Sequence, residues 1–591
     1  MRKDLFKINK ASKKAAKSLT AFTLAVALAF SGTTISFADN TPPDKPGGSS
    51  SSSSSLSWTG ASTISSDTTV NGDAYSSSTA DQNALLITGG TVVLNNITAT
   101  KTGDSDGGDN SNFYGTNSAI LAKDKANVTI TGATVTADAT GANGIFSYGG
   151  NGGTNGANGD GTTVTIKDSK ITTTGNNGGG IMTTGGGITY AYDLTINTAG
   201  NSSAAIRTDR GGGTVVVDGG TYNTTGVGSP AIYSTADITV SNATLSSTKS
   251  EGIVIEGKNS VTLKDTVVNA SNTQKNSQST NYQAIMIYQS MSGDSATGTS
   301  AFSMNGGSIT NTNGDIFFIT NTDCTIDLTD ATITNNGDGY LMNLATGSWG
   351  SSGSNGGSAT VTATQQKLKG DINVDSISSL DLSLTAASTL RGAFVNKEAK
   401  KASLTISNDS SFILTSDSYL TALEVADGGK IYTNGYKLYV NGTEYTGTGV
   451  TTDAAPAEAA TTEATATTEA TATTEAAATT EAAKSTTEAA TTEATKTVTK
   501  PTATKLKRVI NAGSKKLKVI WYGVGGVKGY QIRYKVGKKT KKVIVKGATV
   551  NNITLKNLKK KKYKISVRTY IVVNNKKVFS KWSAIKKIKV K

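Results

Sequence analysis

Between Leu56 and Gly449 one short pattern keeps returning: a small residue followed by Ile or Leu. It stands at Ala119-Ile120, Gly144-Ile145, Gly180-Ile181, Ala205-Ile206, Ala231-Ile232, Gly252-Ile253 and Ala284-Ile285. Asp315-Ile316 and Tyr340-Leu341 continue it with looser first residues. A second β-branched run follows each time, as in Val128-Thr129-Ile130 or Val261-Thr262-Leu263. A third follows soon after, as in Ala133-Thr134-Val135 and Ala331-Thr332-Ile333. The spacing is 21 to 36 residues. A unit this short cannot bury its own apolar side, so it has to stack on its neighbours.

Stacked parallel strands sit ~4.8 Å apart, which places equivalent residues of successive coils in rows. The expected fold is all-β: a right-handed parallel β-helix of about nine to thirteen coils. Ile120, Ile145, Ile181, Ile206, Ile232, Ile253, Ile285 and Ile316 should form one inward row. Gly and Asn at the corners suit backbone at positive φ. A disordered Ser/Thr-rich stalk would not explain the regular Ile positions. Leu-rich strands from Leu368 to Val440 read as the end of the solenoid and its cap.

The Gly/Ala-Ile, Val-Thr-Ile and Gly-Gly-Thr series resembles the pectate-lyase-like β-helix superfamily, and more narrowly its secreted adhesin-like or carbohydrate-binding members. The resemblance covers about two-thirds of the chain (roughly residues 56–449) and implies fold more strongly than activity. Related enzymes work in a surface cleft of carboxylates, with calcium and an Arg base in the lyases. The local match would be Arg207, Asp209 and Arg210 with Asp218, but the equivalents of Arg207 in the adjacent coils are Met182 and Tyr233. The chain has no histidine, which excludes Ser-His-Asp and Cys-His systems and His-ligated metals. Asp104, Asp106 and Asp109 alternate with Ser and Gly, which reads either as a calcium-type loop or as an acidic surface turn. No other cofactor is implied.

If each anchor Ile points inward, the next residue points outward. Those residues are Leu121, Phe146, Met182, Arg207, Tyr233, Val254, Met286, Phe317 and Met342. A long apolar stripe is either a ligand surface or a face covered by other segments. Insertions at 149–161, 290–299 and 345–358 leave the adjoining corner and bring Tyr148, Tyr288 and Trp349 near it. Phe146, Met182, Tyr233, Met286, Phe317 and Trp349 are therefore the candidate ligand-binding set.

Pro501–Lys591 holds 28 Lys or Arg and not one Asp or Glu, whereas the rest of the chain has 30 basic and 43 acidic residues. Such segregation points to a polyanion partner. Alternating runs such as Leu517-x-Val519-x-Trp521 and Tyr563-x-Ile565-x-Val567 predict a small β-sandwich. Trp521, Leu558 ahead of Tyr563, the Val527–Tyr534 run and Ser580-Lys581-Trp582-Ser583 resemble a fibronectin type III module. Lys559, Lys560, Lys561 and Lys562, in the turn before Tyr563, are the candidate polyanion-binding residues.

Residues 1–38 read as a secretory signal peptide: a basic start, an apolar run from Ala21 to Phe30, and Ser36-Phe37-Ala38 before the cleavage point. The long basic start resembles Gram-positive signal peptides. Residues 39–55 are a Ser/Gly/Pro spacer, 56–449 the β-helix, 450–500 a Thr/Glu/Ala low-complexity linker, and 501–591 the basic module. No segment after the signal is long and apolar enough to span a membrane. Cys324 is the only cysteine and reads as a buried strand residue. The sequence thus predicts a secreted, wall-associated protein. Wall polyanions and an extracellular glycan or host-surface ligand are its expected partners, nucleic acid is not, and glycan cleavage is the alternative activity.

Overall fold

The computed structural model describes residues 56–456 except 106–108, 152–157, 276–280 and 427. It also describes 501–590 except 502, 512–514, 522–526, 538, 547–551, 557 and 574–575. The signal peptide, the first spacer and most of the linker lie outside the described residues.

From Gly60 to Gly392 the chain makes twelve complete three-strand coils. Each coil gives one strand to each of three parallel sheets, which hold 12, 14 and 15 strands. This is a parallel β-helix. Val, Ile and Thr dominate the strands because a branched Cβ packs well on a pleated, half-buried surface. Inward residues are paired in register: Ile145 lies between Ile120 and Ile181, and Ile232 between Ile206 and Ile253. All of these are buried in one continuous narrow core with the Val/Ile pairs of the second sheet and single residues of the third.

The bend between the second and third sheets opens with a residue at positive φ, followed by a second one where Gly219-Gly220 and Gly306-Gly307 stand. In successive coils the opening residue is Asn96, Gly132, Asp168, Asp193, Gly219, Asn242, Asp265, Gly306 and Asp330. Asn, Asp and Gly tolerate this conformation where branched residues do not. The amide of each such residue donates to the carbonyl of the next coil's strand end, as Asp193 N does to Asp218 O at 3.1 Å. The corner is thereby tied into the same ladder as the strands.

The inward row departs from the sequence reading in one place. Gln283 is opposite Asp315 and Ile285 is opposite Phe317, so Ile316 sits one position out of the row, beside Ala284. Phe317 and Met342 point inward in line with Ile285, and Ile316 is also buried in the core. Asp-Ile-Phe-Phe-Ile-Thr is apolar in both phases of a strand, so alternation alone does not set its register. Cys324 is buried on the second sheet, where burial pushes its thiol up to about 12.

Beyond the twelfth coil the second and third sheets continue, while the first is replaced by a small sheet. There Ser418–Leu420 pairs parallel with Leu438–Val440, which pairs antiparallel with Thr443–Glu444.

The basic module forms two antiparallel sheets. One holds Leu506–Asn511, Leu517–Trp521 and Asn552–Leu555. The other holds Gly529–Val536, Lys539–Lys546, Lys562–Val573, Lys576–Phe579 and Lys586–Lys589. Alternation directs Leu517, Val519 and Trp521 against Tyr530, Ile532, Tyr563, Ile565 and Val567 in a separate core. No described helix is long and apolar enough to cross a membrane.

Candidate functional site

The outer face of the first sheet carries the groups of most chemical interest. Its register runs Leu86, Leu121, Phe146, Met182, Arg207, Tyr233, Val254, Met286 and Phe318. Met182 and Tyr233 flank Arg207, as the sequence spacing implied. The outward aromatic of its coil is Phe318, so the placement of Phe317 on this stripe is corrected, and Met342 likewise gives way to Asn343.

The stripe is not open to solvent. At one end Leu86, Leu121, Phe146, Tyr148 and Met182 form a buried cluster, with Trp58 and Tyr114 packed on it. Tyr114 ends a short helix, α1, Asp109–Tyr114, laid over this face. The fit is tight, since a Cβ on Gly115 would come within 2.8 Å of the Phe146 ring. At the other end Tyr233, Val254, Met286, Tyr288, Phe318 and Trp349 form a second cluster, with Trp349 and Tyr288 at 4.7 Å between ring centroids. Trp349 comes from the 345–358 insertion. Between the two alternatives for the stripe, the structure favours cover.

An ionic cluster, buried except for the half-buried Arg210–Asp294 pair, lies between the apolar ends. Arg207 Nη2 donates to Asp209 Oδ2 at 3.0 Å, and Nη1 donates to Asn112 Oδ1 of α1 at 3.2 Å. Arg210 Nε donates to Asp294 Oδ1 at 2.9 Å, and its guanidinium lies 4.0 Å over the Phe113 ring. Glu256 accepts from Tyr233, from Tyr288 at 2.9 Å, and from Ser290. Glu251 accepts from Gln283 at 2.7 Å and from Ser250 at 2.6 Å. Ser290 and Asp294 belong to the 290–299 insertion, so two of these contacts clamp that loop down.

Burial sets the electrostatics. It pushes the Asp209 carboxyl up to about 7 in spite of the Arg207 charge beside it. Glu256 and Glu251 are raised for the same reason, against the pull of their hydrogen-bond donors. The Tyr233 and Tyr288 hydroxyls are raised well above their ordinary value by burial first and the Glu256 charge second. A protonatable carboxyl beside fixed guanidinium and phenol groups could transfer a proton if a substrate reached it. Here every carboxylate of the cluster is already engaged.

Of the candidate catalytic set, Arg207, Asp209 and Arg210 come together. Asp218 does not: it stands on the second sheet and accepts from Asn242 Nδ2 at 2.5 Å. Glu256 and Asp294 were missed, and Tyr288, placed near the stripe by the sequence, was not assigned to this cluster. The signal for Glu256 and Tyr288 was available, since they occupy the next outward position along their strands and face each other in register.

The acidic loop does not assemble in full. Asp104 Oδ1 accepts from Thr140 N at 2.7 Å, Asp109 opens α1, and Asp106 lies outside the described residues. Among the described residues no three acidic, His or Cys side chains gather into a metal-binding group. Lys559, Lys560, Lys561 and Lys562 are exposed, and Lys559 N donates to the Tyr563 hydroxyl at 3.0 Å. No protein-family model matches the chain, and comparison with curated proteins finds no match.

Proposed function

We propose that this is an exported surface protein of a Gram-positive cell, held on wall polyanions by its basic module and displaying the β-helix as a non-catalytic adhesive or glycan-binding rod. The pectate-lyase-like resemblance of the coils and the fibronectin type III resemblance of the module belong to this reading. The observation that carries binding over catalysis is the closure of the first sheet's outer face: Asp209, Glu251 and Glu256 are all buried and paired. The open surface lies instead on the other two sheets. On the third sheet, Thr134 and Thr136, Thr195 and Asn197, Thr221 and Asn223, Thr244 and Ser246, and Thr332 and Thr334 point outward in two rows. Hydroxyls and amides then repeat at ~4.8 Å between coils and ~6.6 Å along each strand, with Lys170 and Val267 interrupting one row. Such a lattice suits a polyhydroxylated polymer.

The full chain, run on a glycan array and in reducing-end and unsaturated-product assays, tests this reading. Retention of a glycan without product is expected. Product formation abolished by Glu256→Gln would replace it with glycan cleavage, the second reading. That reading draws on the raised Asp209 and Glu256 carboxyls, and would require the 290–299 insertion to lift.

A further inference from the structure

The outer face of the five-stranded sheet in the basic module is built against its own stability. Residues 562, 564, 566 and 568 alternate with the inward Tyr563, Ile565 and Val567, so they face out. Lys564 is directly opposite Lys535 on one side and Lys587 on the other. Lys562 is directly opposite Lys589, and Arg533 opposite Lys542. Directly opposed residues hold their Cβ atoms ~4.5–5.5 Å apart, and like charges there are destabilising. The lysines of these rows are exposed. No acidic side chain exists anywhere in Pro501–Lys591 to relieve them.

One end of this face is more ordered. Trp582 lies 4.3 Å from the Arg533 guanidinium and 4.4 Å from that of Arg568, and Arg568 lies 3.9 Å from the Phe579 ring. Ser566 Oγ accepts from Arg533 Nε at 3.0 Å, and Gln531 Oε1 accepts from Arg568 Nε at 3.0 Å and Nη2 at 2.7 Å. Neutral acceptors and aromatic faces fix both guanidiniums without cancelling either charge. Arginine fixed in this way suits bidentate recognition of phosphate. The lysine rows, repeating every two residues at ~6.6 Å, suit a chain of further phosphates.

We propose that this face, with Arg533 and Arg568 stacked on Trp582 and the row Lys535, Lys564 and Lys587 beside them, is the binding site for a flexible phosphodiester-linked wall polymer. This rests on the wall-retention reading above and moves its centre away from the Lys559–Lys561 turn, since Lys562 opens the strand that carries the face. The charge pattern favours a flexible polymer over duplex nucleic acid, because the face is a strand-spaced lattice on a sheet rather than an element able to enter a groove.

The test uses the full chain and immobilised poly(glycerol phosphate), with duplex DNA of equal phosphate content in parallel. Three variants are compared with wild type: Arg533→Gln with Arg568→Gln; Lys535→Gln with Lys564→Gln and Lys587→Gln; and Lys559→Gln with Lys560→Gln and Lys561→Gln. The first two should each weaken polymer binding at least tenfold, and the lysine variant should lower the salt dependence by roughly two to three in log–log slope. The turn variant should lose less than about threefold. Lys564→Gln alone should raise the module's melting temperature at low salt while weakening binding, an opposite pairing that misfolding cannot produce. Wild-type strength in both face variants, with loss confined to the turn variant, would overturn the site and leave wall retention standing. Failure of wild type to bind the polymer at low salt would overturn both. Equal affinity for duplex DNA, lost in the same face variants, would overturn the choice of polymer.

Discussion

Phe146→Ala separates a covered outer face from an open one. Phe146 is fully buried between Leu121 and Met182 and under the α1 segment. An aromatic ring buries on the order of 150 Å² or more, and at about 25 cal/mol per Å² its removal costs about 4 kcal/mol. That falls within the ~3–5 kcal/mol range of Phe→Ala changes in cores. The measurement is urea unfolding of the full chain, with amide exchange followed at Asp109–Tyr114. Met291→Ala is the control, because Met291 is 44% exposed and its loss should cost less than about 0.5 kcal/mol. The expected result is a loss of about 3–5 kcal/mol for Phe146→Ala and faster exchange in α1. A loss under about 1 kcal/mol with unchanged exchange would refute the reasoning and reopen the stripe as a ligand surface.

Three further outcomes are expected. Ile232→Asp places a charge with no partner in the inward row and should cost several kcal/mol, seen as loss of cooperative unfolding by circular dichroism; a fold as stable as wild type would show the row is misassigned. The Asp209 carboxyl is raised to about 7 in the folded chain, so its contribution is present in full below about pH 4 and is lost as pH rises through about 7; the raised Glu256 carboxyl acts in the same direction. The melting temperature should therefore fall more across that window in wild type than in Asp209→Asn, and equal slopes would remove burial as the cause. Cys324 should resist a thiol reagent at pH 8 in the folded chain and react on denaturation, because its thiol is both buried and raised to about 12.

The solenoid was legible because a repeat multiplies weak signals. One small-Ile dipeptide means little, but seven at coil spacing fix an inward row, and the Asn, Asp and Gly corners mark where strands end. Legibility failed where a coil lost its polar phase, as in Ile316-Phe317-Phe318-Ile319, and only the backbone ladder decides which Phe turns inward. The outer cluster was half legible. Arg207 and Asp209 follow from alternation carried one residue past the strand Ile206–Thr208, whereas Asn112 and Asp294 arrive on segments whose path no periodicity describes. Cover of the apolar stripe was foreseeable as an alternative. Trp349 lies against the stripe as its insertion suggested, whereas the cover by a six-residue helix was not foreseen. In the basic module, counting charge located the cationic segment, but the lysine rows exist only once strand register is known.

The turn at the far end of the rod bears on whether copies of this protein stay separate. A stack of parallel coils has an unpaired rim at each end, and one copy's last coil matches another's first in strand direction and spacing. Such a head-to-tail contact never closes on itself, so it grows into a fibre. The reversal that sets Thr443–Glu444 antiparallel to Leu438–Val440 occupies the last position of the small sheet, which follows the first sheet by way of Phe394 and Ser418–Leu420. A strand of reversed polarity there does not present the incoming Gly60–Ile64 of a second copy with the parallel ladder that coil-on-coil stacking uses. On that sheet a few residues of reversed backbone thus work against one copy stacking end to end on another.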